Sequence, residues 1–188
     1  MFKVYVPYSD HLKSVAVLDD DLLWQQLHDM QGLLAVLCEF APRSRFLAVK
    51  QWRGYEGFLL LYLRRMQVEC QKRDLGSWSD EDRDNPYASA WGMLARAGKK
   101  LAPLAPRWIG GHWFLASNRS ELIRLNPTHY AQRFPTTPME MPFLFPQNTE
   151  TFDYTISVSK QDSDLLEDHE RVIPAPFVEH VRAKGLIW

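Results

Sequence analysis

The sequence predicts a mainly α protein: a compact helical domain over residues 1–146, crossed by a proline-rich belt, with a small C-terminal extension over residues 147–188. Three observations carry that expectation. Apolar residues recur at helical spacing through two long stretches, residues 19–39 and 48–72. Pro135, Pro138, Pro142 and Pro146 crowd one later segment and impose an irregular path on it. Only residues 151–159 alternate clearly enough to be a strand, with Phe152, Tyr154, Ile156 and Val158 on one face.

The elements follow in order. Residues 1–7 read as a short extended segment ended by Pro7, and Asp10 or Ser14 can cap a first short turn. The first long helix carries Leu22, Leu23, Leu27, Met30, Leu33, Leu34 and Leu37 on its apolar face. Asp19, Asp20 and Asp21 sit at its start, where carboxylates interact well with the helix dipole. Residues 41–44, Ala-Pro-Arg-Ser, stop it. The second long helix has a broad apolar face of Val49, Trp52, Tyr55, Glu56, Leu59, Leu60, Tyr62, Leu63, Met66 and Cys70. It ends among Arg64, Arg65, Lys72 and Arg73, a basic end read as a solvated face or a nucleic-acid contact. Residues 76–85 are a polar loop, and Pro86 opens a third helix over residues 86–99. Residues 101–106, Leu-Ala-Pro-Leu-Ala-Pro, form a stiff connector. Gly110 and Gly111 break the chain before a helix over residues 114–125, which stops at Asn126-Pro127. Residues 162–170 are acidic, and residues 176–184 suit a last short helix.

Composition narrows the function. Of the 188 residues, 46% are hydrophobic, enough for a real core. The formal net charge is -1, from 22 basic and 23 acidic side chains. A protein that grips duplex DNA by bulk charge is clearly basic, so any nucleic-acid surface here is a local patch. Cys38 and Cys70 lie in apolar helical stretches and read as buried free thiols of a reducing cytosol. The start of the chain does not read as a signal peptide, and no apolar run is long enough to span a bilayer, so the expectation is a cytoplasmic protein without a membrane partner. No Cys/His cluster has metal-ligand spacing, and no metal or organic cofactor is expected.

Three blocks carry a resemblance. They are V-L-D-D-D-L-L-W-Q-Q-L-H-D-M-Q-G-L-L at residues 17–34, V-K-Q-W-R-G-Y-E at residues 49–56, and A-S-N-R-S-E-L-I-R-L-N-P-T-H-Y at residues 116–130. With the extended start and the later F-P-T-T-P and P-F-L-F-P, the chain resembles the pyrimidine-dimer DNA glycosylases of the endonuclease V type. The resemblance spans residues 1–146. It implies a helical fold that flips a pyrimidine nucleotide out of duplex DNA. It also implies an N-terminal α-amine that attacks the sugar C1′, a Schiff base, and a lyase step. The amine would be that of Met1, because bulky Phe2 blocks removal of the initiator methionine. An α-amine titrates near ~8, low enough to supply the neutral nucleophile. The family's helical glutamate falls at Asp29, and the basic residues preceding it in relatives are Gln25 and Leu27 here. Where relatives carry a histidine, this chain has Asn118.

Candidate roles follow. Asp29 is an acid/base group or charge stabiliser, or a plain surface carboxylate. Glu56 is a second catalytic candidate, or a structural ion-pair partner of Arg53 or Arg119. Arg53, Arg119 and Arg124 are candidate phosphate ligands. Trp52, Tyr55, Asn118, His129 and Tyr130 are candidate pocket residues, the aromatic ones equally suited to packing. His28 and His112 read as bystanders. Three functions are compatible with these residues: a glycosylase/AP lyase on a damaged or modified pyrimidine, a phage-type transferase acting on an activated hydroxymethyl-pyrimidine in DNA, and a catalytically silent DNA-binding or protein-interaction module.

Overall fold

Short polar side chains set the helix starts. Asp10 accepts the Leu12 and Lys13 N–H groups at 2.8 and 3.2 Å and caps α1, His11–Val17. Those N–H groups, Lys13 first, hold its carboxyl below the usual carboxylate range. Asp19 accepts the Leu22 N–H at 2.9 Å at the head of α2, Asp20–Glu39. The computed structural model describes residues 3–39, 47–79, 82, 84–99 and 101–146, and the backbone of residues 154–158 and 169–173. It is mainly helical. The stop expected at 41–44 and the helix expected over 176–184 lie outside the described residues.

The chain divides into two units, Met1–Pro106 and Arg107–Trp188. In the first, α2 packs on α4, Glu56–Lys72, and on α5, Pro86–Arg96. Leu23, Leu27, Met30, Leu33, Leu34 and Leu37 of the predicted α2 stripe are fully buried, and Leu22, also expected on it, is half-buried. The stretch expected as one helix over 48–72 is two. Helix α3, Leu47–Trp52, ends before Gly54, whose φ of 86° suits only glycine without strain, and α4 restarts at Glu56. Arg73 is a clamp rather than a solvated end. It donates to Leu18 O at 2.6 Å, Ala16 O at 3.0 Å, Asp20 at 3.0 Å and Glu69 at 2.8 Å, tying α1, α2 and α4 together. Asn85 caps α5 by accepting the Ala88 N–H at 3.0 Å, and Gly98, with φ 64°, closes it.

The N-terminal segment lies in this core. Val4, Tyr5 and Val6 are buried, and the Tyr62 hydroxyl of α4 donates to Tyr5 O at 2.7 Å. Tyr62 and Cys70 are both fully buried, so desolvation resists their ionisation. It raises the Tyr62 phenol far above its usual range and the Cys70 thiol from 9.0 to about 11. A raised folded-state value means stability is intact below the unfolded value and falls as pH rises past it. Native Cys70 therefore costs roughly 2 kcal/mol of stability between about pH 9 and 11. Urea unfolding should show the midpoint falling over that window, and Cys70→Ala should flatten the fall. An equally steep fall in the variant would remove Cys70 as a cause.

The second unit begins with a 3-10 turn, Arg107–Gly110, followed by α6, His112–Leu125, and the single turn α7, Pro127–Tyr130. Asn126 accepts the His129 N–H at 3.1 Å and Pro127 follows, which produces the predicted stop and sharp restart. One face of α6 is polar yet buried. Ser120 Oγ accepts the Met141 N–H at 3.0 Å and Ser117 Oγ accepts the Leu144 N–H at 3.3 Å, so the proline belt is pinned by hydroxyls as well as by Phe143 and Phe145. The belt ends in β1, Leu144–Pro146, which pairs antiparallel with β2, Tyr154–Val158, and β2 with β3, His169–Ile173. The strand expected over 151–159 is therefore present. Because it pairs with the belt, the contacts divide the chain after Pro106, whereas the sequence suggested a boundary at residue 146.

Candidate functional site

The extended start of the chain and α2 meet at Gln26. This glutamine falls in the apolar register between Leu23 and Leu27 and is buried with them. Its Nε2 donates to Lys3 O at 2.9 Å, while its Oε1 has no hydrogen-bond partner among the described residues. A buried amide oxygen left unmatched is costly and uncommon. One turn further along α2 stands Asp29, half-buried, with no ion pair or hydrogen bond among the described residues. Tyr62, on α4, fixes the same N-terminal segment two residues later. Met1 lies outside the described residues. His28, beside Asp29, is exposed, and its Nδ1–H donates to Trp24 O at 2.9 Å.

The second block splits between core and surface. Trp52 is fully buried and stacks on Phe58, centroids 6.0 Å apart and 7° from parallel, so it packs the core. Arg53 is exposed in the turn before α4, and Tyr55 is half-buried at the head of that helix. Glu56 is 5% exposed and pairs with Lys99 Nζ at 3.2 Å. A carboxylate so enclosed beside its ammonium partner has the arrangement of a structural ion pair, and the partner is Lys99, where the sequence suggested Arg53 or Arg119. The charges of Glu56 and Lys99 also reach Cys38, but burial is the main effect and pushes that thiol up.

In the second unit, Arg119, His129 and Tyr130 come together. The Arg119 guanidinium lies 5.6 Å from the centre of the Phe134 ring. Tyr130, fully buried, stacks on Phe134 at 6.2 Å and 5°, and half-buried His129 meets the Tyr130 ring edge-on at 4.6 Å. Asn118 is fully buried and its Nδ2 donates to Phe114 O at 2.8 Å, a bond back along its own helix. Arg124 is exposed and pairs with the Glu121 carboxylate one turn away. Tyr130, Trp52 and Asn118 are thus enclosed by the protein itself.

Tyr62 is buried on the apolar face where the sequence predicts it, but the hydrogen bond of its hydroxyl is not predicted, and neither Gln26 nor Lys99 is a sequence-predicted site residue. A polar residue at a core position of an apolar stripe is the available signal for Gln26. The pairings of Lys99 and Tyr62 have none, since their partners lie 43 and 57 residues away. Among the described residues no three His, Cys, Asp or Glu side chains gather as a metal site. No helix among the described residues is long and apolar enough to cross a membrane.

Comparison with protein-family models, with curated proteins and with solved structures gives no match.

Proposed function

We propose that the protein is a DNA-base-directed enzyme that flips a pyrimidine nucleotide and acts on it as a glycosylase with a lyase step. The single observation that carries this reading is the anchoring of the chain's start on α2 at Gln26, one turn from the carboxylate of Asp29. From the Met1 amine to the anchored Lys3 carbonyl is three residues, and an extended chain spans at most ~3.6 Å per residue, so covalent reach keeps that amine within roughly 11 Å of the anchor. Residues 26 and 29 are separated by about 4.5 Å of helix rise. Covalent reach thus supports an amine and a carboxylate acting together.

In this reading the neutral amine of Met1 attacks C1′. The N-glycosidic bond breaks, its electron pair leaves with the base, and the base takes up a proton. Ring opening gives an imine between Met1 and the sugar, and β-elimination then expels the 3′ phosphate. Asp29 stabilises the positive charge that develops on the sugar and carries protons. The unmatched Gln26 Oε1 is available to accept a hydrogen bond from the amine and orient it. Arg53, in the turn before α4, takes a phosphate on the first unit, while Arg119 and Arg124 take phosphates on the second unit. Glu56, in its buried pair with Lys99, steadies the head of α4 instead of reacting.

Borohydride reduction on duplex DNA with an abasic site tests this directly. The native chain should give a covalent adduct, and a variant extended by several residues before Met1 should give none. DNA binding without any adduct from the native chain would refute the lyase step. It would leave base modification or a silent binder.

A further inference from the structure

A groove between α4 and α5 plays no part in the reading above. It encloses ≈ 380 Å³ and is lined by Arg64, Tyr87, Ala88 and Trp91. Trp91 is 49% exposed, a large indole surface left in water. The Arg64 guanidinium stands 5.1 Å from the centre of the Tyr87 ring, so the groove joins a cation to two aromatic walls. Behind it, fully buried Gln67 accepts the Tyr87 N–H at 3.2 Å, and its own Nε2 has no hydrogen-bond partner among the described residues. Residues 57–68 and 85–99, which contain both walls, hold Arg64, Arg65 and Arg96, together with Lys99, whose charge is matched by Glu56, while exposed Asp82 and Asp84 stand in the loop ahead of α5. The first amides of α5 are already taken, Tyr87 by Gln67 and Ala88 by Asn85, so recognition falls to the side chains.

We propose that this groove is a nucleotide site in which Trp91 and Tyr87 flank a nucleobase and Arg64 binds its phosphate. The volume lies within the ~300–1,000 Å³ of small-ligand sites. Every nucleobase offers a π face to an indole, and a guanidinium matches phosphate oxygens two at a time. A cation would be repelled by the Arg64 guanidinium. A free mononucleotide and a nucleotide within a single strand share this chemistry. The proposal uses none of the residues of the amine–carboxylate pair, so the two stand or fall separately.

Isothermal titration of the full chain with dAMP, deoxyadenosine and a short oligothymidylate tests it. dAMP or the oligonucleotide should bind. Trp91→Ala and Arg64→Ala should each weaken that binding by about tenfold or more, since stacking on one aromatic contributes ~1–3 kcal/mol. Trp91→Phe should retain most of it. Deoxyadenosine, without a phosphate, should bind the native chain about as weakly as dAMP binds Arg64→Ala. Tight binding of the oligonucleotide identifies a strand as the source, and binding of dAMP alone identifies a free nucleotide. Both side chains are at the surface, and unchanged far-UV circular dichroism separates lost binding from lost folding. No heat from either ligand at millimolar concentration, or equal affinity in all variants, overturns the proposal. So does a dimer that dissociates on Trp91→Ala without nucleotide binding, which would assign the groove to a second copy of the chain.

Discussion

Asp29→Asn lowers formation of the borohydride-trapped adduct by a factor of about 10²–10⁴, the usual contribution of a positioned acid or base. The exchange keeps the size of the side chain and removes its charge. Asp29 is half-buried and has no ion pair or hydrogen bond among the described residues, so its loss leaves no structural contact broken. Thermal unfolding should therefore be nearly unchanged while the reaction slows, a separation that a merely structural role would not give. Asp21→Asn, an exposed carboxylate in the first turn of the same helix, is the matched control and should leave trapping as it is. If Asp29→Asn traps as fast as the native chain, Asp29 is a surface carboxylate and the proposed reaction loses its acid.

Gly57→Ala destabilises the first unit by about 1–3 kcal/mol, and the physical cause is backbone against backbone. A Cβ at residue 57 would meet Ala102 O at 2.4 Å, the Leu101 carbonyl carbon at 2.7 Å and that of Ala102 at 2.8 Å. None of these atoms is the free end of a side chain that could swing away, and Pro103 stiffens the connector that carries them. Alanine's better helix propensity, worth about 1 kcal/mol, opposes the clash but does not offset forced movement of packed backbone. The neighbouring Glu56–Lys99 pair would be disturbed as well. Gly92→Ala provides the contrast. Its nearest neighbour is Arg96 Nη1 at 3.4 Å, a mobile guanidinium, so alanine there should be neutral or stabilising by up to about 1 kcal/mol. Urea midpoints of the two variants check both statements. A Gly57→Ala protein as stable as the native chain would mean that the connector yields.

Local signals were legible where neighbours in sequence are neighbours in space. The stripe of α2, the Asp10 cap, the Pro86 start and the Asn126-Pro127 stop are all written within one or two turns, and the structure keeps each. The split at Gly54 was missed because the apolar pattern continues across it, although the positive φ of that glycine ends the helix. Residues 162–170 were read only as acidic, yet the last two belong to β3. Strand pairing is set by a partner elsewhere in the chain, and periodicity does not carry that information.

The candidate site divides the same way. That Asp29, Arg53, Arg119 and Arg124 are charged groups within the three blocks is a property of the sequence by itself, as are the mainly helical class and the belt. Whether each faces water, a partner or the core was decided only by tertiary structure. Trp52 and Tyr130 pack inside, Asn118 bonds to its own helix, and Glu56 is matched by Lys99. Gln26 holds the chain's start at Lys3, 23 residues away, and Tyr62 holds Tyr5 across 57. Helix periodicity and capping depend on atoms a few residues apart, so composition and spacing determine them. Burial and pairing depend on which distant segments the packed core brings together, and that is settled only when the whole unit has folded.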